Sequence, residues 1–153
     1  MRLLRHIELK GNPSTVTAQQ KGCRVHNGKA YHYTKSKVRT AERELMAELY
    51  PFRPSEPYRS ELCLRVIWRF SRKAWESKKQ RTSYKGTKPD LDNLVKGLAD
   101  VMTGLFWYDD NQLARLELSK IWNEEGGLVV EVLELTAEDY EKELEYFNEE
   151  GKE

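Results

Sequence analysis

The sequence predicts a single α+β domain in which helices pack on a mixed, mostly antiparallel sheet. Three observations carry this. A chain of 153 residues with 39% hydrophobic residues can bury one core but not two independent ones. Leu62, Leu64, Val66, Trp68 and Phe70 recur at every second position, the period of a half-buried strand. Leu91, Leu94, Val95, Leu98, Val101 and Met102 recur at helical spacing. The resulting order of strand, hairpin, helix, strand, helix, strand, strand, helix places helices over a sheet.

Residues 2–10 read as a strand, with Leu3, Ile7 and Leu9 on one phase, Leu4, His6 and Glu8 on the other, and Arg5 interrupting the first. Gly11, Asn12 and Pro13 end it, and the polar residues 14–22 read as loop. Within residues 24–33 stands Asn27-Gly28, the pair that a type I′ turn favours, so a small basic hairpin is expected. A helix opens at Ser36 or Lys37, buries Val38, Ala41, Leu45 and Leu49, and stops at Pro51. The strand beginning at Leu62 runs into residues 72–88, which read as a basic loop. Pro89 pushes Lys88 toward extended geometry, so the next helix starts after it with Asp90 near the N-cap, and Gly104 stops it. Leu105, Phe106 and Trp107 form an apolar patch assigned by default to the core, with a dimer surface as the alternative. A two-strand meander follows, with Ala114, Leu116, Leu118 and Trp122 on one phase, a Glu-Glu-Gly-Gly turn, and residues 128–135 returning. Thr136 and Asp139 make a capping box for an acidic terminal helix and tail, residues 137–153, in which Tyr140, Leu144 and Phe147 dock while the glutamates stay solvated.

Several classes are disfavoured. There is no run of about eighteen apolar residues and no basic, apolar, small-residue leader, so a cytoplasmic protein without a membrane partner is expected. Cys23 and Cys63 lack CxxC spacing or a ligand cluster and read as ordinary thiols. His6, His26 and His32 have no acidic ligand set nearby in sequence, and neither a nucleophile-base arrangement nor a phosphate-cradling glycine loop is present.

Charge points elsewhere. The net charge of +1 hides two opposed parts: residues 1–89 hold 21 Lys and Arg against 7 Asp and Glu, a balance of +14, and residues 90–153 hold 5 against 18, a balance of −13. A basic part beside an acidic one suits a protein that holds a polyanion and attacks it at a metal, which makes nucleic acid the leading substrate class. The acidic part opens with KPDLDNLVKGLADVMTGLFWYDDNQ. Asp90 and Asp92 are two apart at the helix entry, Asp92, Lys96 and Asp100 share a helical face, and Asp109 and Asp110 follow the apolar run. Gathered carboxylates repel one another unless a hard cation takes their oxygens as ligands, and Mg²⁺ is the natural candidate, with Mn²⁺ possible. The blander account makes Asp90 an N-cap, the four-spaced charges surface ion pairs and Asp109-Asp110 a turn. The combination of a second carboxylate pair with a lysine four residues past Asp92 stands well above its parts.

These residues, Asp90, Asp92, Asn93, Lys96, Asp100, Asp109, Asp110, Gln112 and the strand residue Lys120, resemble the pattern of the RusA-type Holliday junction resolvases, small endodeoxyribonucleases of bacteria and their phages. The early segment, with its Gly-x-Pro and basic hairpin, is also similar to that family; the acidic terminal helix matches nothing in it. The resemblance implies a RusA-like fold, a homodimer, and resolution of four-way DNA junctions by paired symmetric cuts. It further implies that Asp90, Asp92 and Asp110 bind the metal and that Lys96 assists catalysis beside them, with Asp109, Asp100, Asn93 and Gln112 as secondary candidates. Arg72, Lys73, Lys78, Lys79, Arg81, Lys85 and Lys88 are expected to contact phosphates, with Lys21, Arg24 and Lys29 as a second group and Trp75 stacking at the junction. The competing readings are a junction-binding module that does not cut and, ranked last because it leaves the basic part unexplained, a magnesium enzyme acting on small phosphate compounds.

Overall fold

The computed structural model describes residues 1–17, 21–72 and 83–150, without the side chains of residues 21, 32–34, 149 and 150. They form strands β1 (Arg2–Lys10), β2 (Lys21–His26), β3 (Lys29–Thr34), β4 (Leu62–Ser71), β5 (Ser83–Tyr84), β6 (Leu113–Asn123) and β7 (Gly127–Glu134), and helices α1 (Ser36–Leu49), α2 (Leu91–Met102) and α3 (Ala137–Glu150). Five strands make a mixed sheet in the order β1-β7-β4-β6-β5, and β2 pairs with β3 alone. All pairings are antiparallel except β4 with β6. That parallel pair needs a crossover, and the connection containing α2 supplies it. The single-domain α+β architecture is as expected.

The alternating apolar residues of β4 face one core with Ile7, Val130 and Val132 of the neighbouring strands and with the apolar faces of α1 and α2. Phe106 and Trp107 are completely buried there, so the core assignment of residues 105–107 holds and these two rings are not available to a partner. The opposite phase of the sheet carries charge. Arg65 bridges Glu117 at 2.5 Å and Glu131 at 2.9 Å, and Glu131 also meets His6 at 3.0 Å. Partly exposed pairs of this kind add little stability individually, but they fit only one register and so help specify it.

Asn27 and Gly28 both have positive φ, 50° and 73°, the type I′ geometry that the hairpin reading anticipated. Other expectations need correction. A β-bulge between Leu3 and Arg5 shifts the phase of β1, so Leu4 rather than Leu3 shares the core side with Ile7 and Leu9, and Leu3 is exposed. The meander is not one: β6 and β7 are separated by β4, which pairs with both. Inserting the most apolar strand between them covers its whole length with main-chain partners, which an edge position would not do. The link of Glu124, Glu125 and Gly126 therefore crosses the end of β4, about 10 Å of sheet. A Cβ on Gly126 would lie 2.7 Å from the Cα of Asn12, whose side chain also ties down Ser71 at the end of β4 (Ser71 N to Asn12 Oδ1, 2.7 Å).

The terminal helix is capped as expected, with Thr136 N and Oγ1 donating to Asp139 Oδ2 at 2.9 and 2.6 Å. Its apolar stripe does not dock: Tyr140, Leu144 and Phe147 are exposed, Phe147 to 72%, and the helix is held instead by Asp139 on the Met1 ammonium and Glu143 on Arg115. The Met1 ammonium, and after it Thr136, hold the Asp139 carboxyl well below its ordinary value of 3.8, and His6 followed by Arg65 lowers Glu131 from 4.5. Depressed carboxyls contribute stability that is complete above their unfolded values and lost as pH falls toward the folded ones. Urea unfolding of Asp139→Asn should therefore lose stability less steeply than wild type below about pH 4; parallel acid limbs would refute the linkage. Burial pushes the Cys63 thiol up to about 11, whereas Cys23 is exposed.

Candidate metal centre and nucleic-acid interface

The approach to the acidic segment is built on β6. Residues 72–88 are not all loop: Ser83 and Tyr84 pair with Trp122 and Ile121 as β5, and Lys85 N donates to Lys120 O at 2.9 Å. Lys85 itself is 7% exposed. Its ammonium lies 4.3 Å from the Trp122 ring centroid and 5.3 Å from that of Phe70, and donates to Thr87 Oγ1. This is a structural cation held over aromatic faces, so Lys85 is withdrawn from the expected phosphate contacts. Lys120 Nζ then donates to the carbonyls of Thr87 and Pro89, at 2.8 and 2.7 Å. The Lys88-Pro89 bond is cis and Pro89 is buried.

Asp90 follows as the N-cap of α2, with extended φ and ψ of −73° and 142°. Its carbonyl accepts from Leu94 N at 3.1 Å, but its side chain makes no capping bond. Asp92 stands in the first helical turn, where a carboxylate is favoured by the positive helix end. Asp92, Lys96 and Asp100 lie on the exposed face, yet none pairs with another within the 4.0 Å of an ion pair. Among the described residues the side chains of Asp90, Asp92, Lys96, Asp100 and Asp110 all lack a hydrogen-bond or ion-pair partner. The bland account of capping and surface pairs thus fails to use these charges. Asn93 differs, being only 7% exposed.

At the far end of α2, Gly104 with φ of 84° turns the chain, Gly104 N donates to Trp107 O at 2.7 Å, and Trp107 Nε1 donates to Thr103 Oγ1 at 3.0 Å. Asp109 spends its carboxylate capping the short 3₁₀ turn Asp110–Gln112, accepting from Asn111 N at 3.0 Å. Gln112 Oε1 accepts from Tyr108 N and Asp109 N, and its Nε2 donates to the carbonyls of Tyr58 and Ser60. Gln112 is thus the tie between this turn and residues 58–60. Replacing it with alanine should cost about 1–3 kcal/mol in urea unfolding, since four main-chain groups lose a partner; a change within error would show that water replaces it fully.

The geometry separates the expected ligands. Asp90 and Asp92 stand at the start of α2 and Asp110 beyond its end, and twelve helical residues span about 18 Å. The sheet agrees: Lys120, which reaches Pro89, lies seven residues along β6 from Leu113, roughly 23 Å. Among the described residues no three Asp, Glu, His or Cys side chains stand together as a metal site. One chain brings together Asp90, Asp92 and the lysine a turn later; it does not bring Asp110 to them. Two exposed carboxylates at a helix start nevertheless suit magnesium, which commonly takes one or two and completes its shell with water and phosphate oxygens.

Of the expected DNA contacts, Arg24, Lys29 and Lys88 are exposed. Arg72 donates to Ser83 Oγ at 2.9 Å and lies 5.6 Å from the Trp122 ring centroid, which fixes its stem beside β5. Lys73, Trp75, Lys78, Lys79 and Arg81, and the Lys21 side chain, lie outside the described residues. The sequence reading gave Lys120 no role. The signal was present: it is a lysine on the apolar phase of β6, between Leu118 and Trp122, opposite Trp68.

No helix among the described residues is long and apolar enough to cross a membrane. Residues 13–133 match the family model of the endodeoxyribonuclease RusA. The chain is 34% identical over 130 residues to the crossover junction endodeoxyribonuclease rusA of Lactococcus phage r1t, an alignment covering 84% of this chain and 97% of that protein. It is also 40% identical over 65 residues to the uncharacterized protein YqaN of Bacillus subtilis strain 168, covering 39% of this chain and 46% of that one. The matched span takes in the hairpin, the sheet after β1, both core helices and every carboxylate of the candidate site, and leaves out α3, so this chain belongs to the RusA endodeoxyribonuclease family.

Proposed function

We propose that the protein is a magnesium-dependent, structure-selective endodeoxyribonuclease that resolves four-way DNA junctions by paired phosphodiester hydrolysis. The observation that carries this is the pair of exposed carboxylates Asp90 and Asp92, unpartnered among the described residues, with Lys96 one turn on, at the clamped entry to α2. When bound there, magnesium supplies Lewis-acid activation of water and neutralises charge developing on the phosphoryl group. Asp90 and Asp92 hold the ion and leave positions open for solvent and substrate oxygen. Lys96 places a fixed ammonium beside the reacting phosphate, where it stabilises developing charge without reorganisation. Arg24, Lys29 and Lys88 hold the DNA backbone, so affinity falls as salt rises.

Asp110 enters through a second copy. A homodimer with two-fold symmetry supplies two sites for two symmetric cuts, and it offers a route by which Asp110 of the partner subunit completes the ligands at Asp90 and Asp92. The separation across α2 favours that arrangement over three ligands from one chain.

The test is cleavage of a labelled four-way junction and a matched linear duplex, in magnesium, manganese or EDTA. Paired nicks on the junction alone, and only with metal, are expected. Tight junction binding without cuts under either metal would overturn the proposal in favour of a binding module.

A further inference from the structure

A metal ligand has to be held still, yet Asp90 ends a stretch, residues 85–90, with no regular secondary structure. What fixes this stretch comes from the neighbouring strand. Lys120 contacts it three times: its own carbonyl accepts from Lys85 N at 2.9 Å, and its ammonium donates to Thr87 O at 2.8 Å and Pro89 O at 2.7 Å. The two acceptors flank Lys88, and the second belongs to the peptide bond that enters Asp90. Bonds from an ammonium to a carbonyl are stronger than neutral ones. Three rotatable donors on a flexible stem can also satisfy two carbonyls that are not coplanar, which the planar fork of an arginine does less well.

We propose that Lys120 is the positioning residue of the candidate site: it clamps the main chain on both sides of Lys88 and so fixes where Asp90 stands relative to Asp92. This rests on the reading of Asp90 as a metal ligand. Two features separate such a role from ordinary surface charge. Lys120 makes no ion pair with a carboxylate among the described residues. It also stands on the core-facing phase of β6, opposite Trp68, where an apolar side chain would be the default for stability. An exchange to methionine at that position trades a partly buried cation for apolar packing, so global stability should change little while the clamp is lost.

The experiment compares wild type, Lys120→Met and Lys120→Arg. Hydrogen exchange of the metal-free proteins is read by mass spectrometry. In Lys120→Met, peptides covering residues 85–92 should exchange about tenfold faster, with β4 and β7 unchanged, because two charged bonds are lost locally. Magnesium binding by calorimetry should weaken about 10- to 100-fold, as for other groups that orient a metal ligand. On junction DNA kcat should fall far more than KM, and Lys120→Arg should recover part of each loss. Unchanged exchange over residues 85–92 would overturn the proposal, as would loosening spread evenly over the sheet. Should wild type neither bind magnesium nor cut junctions, the functional reading falls, while the exchange result still decides what Lys120 does.

Discussion

Replacing Asp92 with asparagine is expected to slow junction cleavage about a thousandfold or more, roughly 4 kcal/mol of barrier, while leaving the fold intact. The size follows from what the group is asked to do. An amide keeps the shape and one neutral oxygen donor but removes the charge that makes a hard cation bind and keeps it in place. The stability cost is far smaller, because Asp92 pairs with none of the described residues and contributes its favourable placement in the first turn of α2, about 0.3–1 kcal/mol. Junction affinity measured in EDTA should stay within about threefold of wild type, since a group that acts through the metal contributes little once the metal is gone. Single-turnover cleavage, filter binding and thermal melting on one preparation separate these quantities. If cutting persists at a tenth of the wild-type rate, Asp92 is not a ligand and the start of α2 is not the reacting centre.

Mixing two dead variants should restore cutting. Asp92→Asn and Asp110→Asn each inactivate a homodimer if the ligands come from both chains. When the two are unfolded together and refolded, half the dimers are mixed, and each mixed dimer has one site carrying both changes and one carrying neither. About a quarter of all sites are then intact, so nicking should return to roughly that fraction of wild type, as single nicks instead of paired cuts. No recovery, with mixed dimers verified by a size tag, would mean that Asp110 does not act across the interface. Asp90 caps the start of a helix about 18 Å long and Asp110 lies beyond its far end, and among the described residues no three possible ligands stand together in one chain.

That length also explains what could and could not be read from the chain. Element types were legible because each rests on local spacing: the alternation of β4, the stripe of α2, Asn27-Gly28 in its turn. The pairing of β4 between β6 and β7 was not legible, because the short link of Glu124, Glu125 and Gly126 looks like a hairpin, and only the demand for partners on both sides of β4 reveals the crossing. The carboxylates were visible as a set, but proximity in sequence across α2 is not proximity in space. Lys85 and Lys120 share a simpler cause. Composition counts every lysine as surface charge, and although Lys120 falls on the apolar phase of its strand, its spacing does not say that it holds two carbonyls, nor does that of Lys85 say that it lies over Trp122 and Phe70. The stripe of α3 is equally local, but Tyr140, Leu144 and Phe147 stay exposed while polar ties through Asp139 and Glu143 hold the helix.

The crossing over β4 sets different rules for change in different loops. Asn123 and Gly127 are joined by four Cα steps, about 14 Å at full stretch, against about 10 Å of sheet to cross and a strand end to clear. Losing one residue would leave almost no slack, and a side chain at Gly126 would run into the main chain of Asn12. As the family diverges, insertions and deletions are therefore expected to avoid residues 124–126 and to leave glycine at 126, so that this short link serves as a fixed landmark for aligning distant members whose other loops have drifted in length.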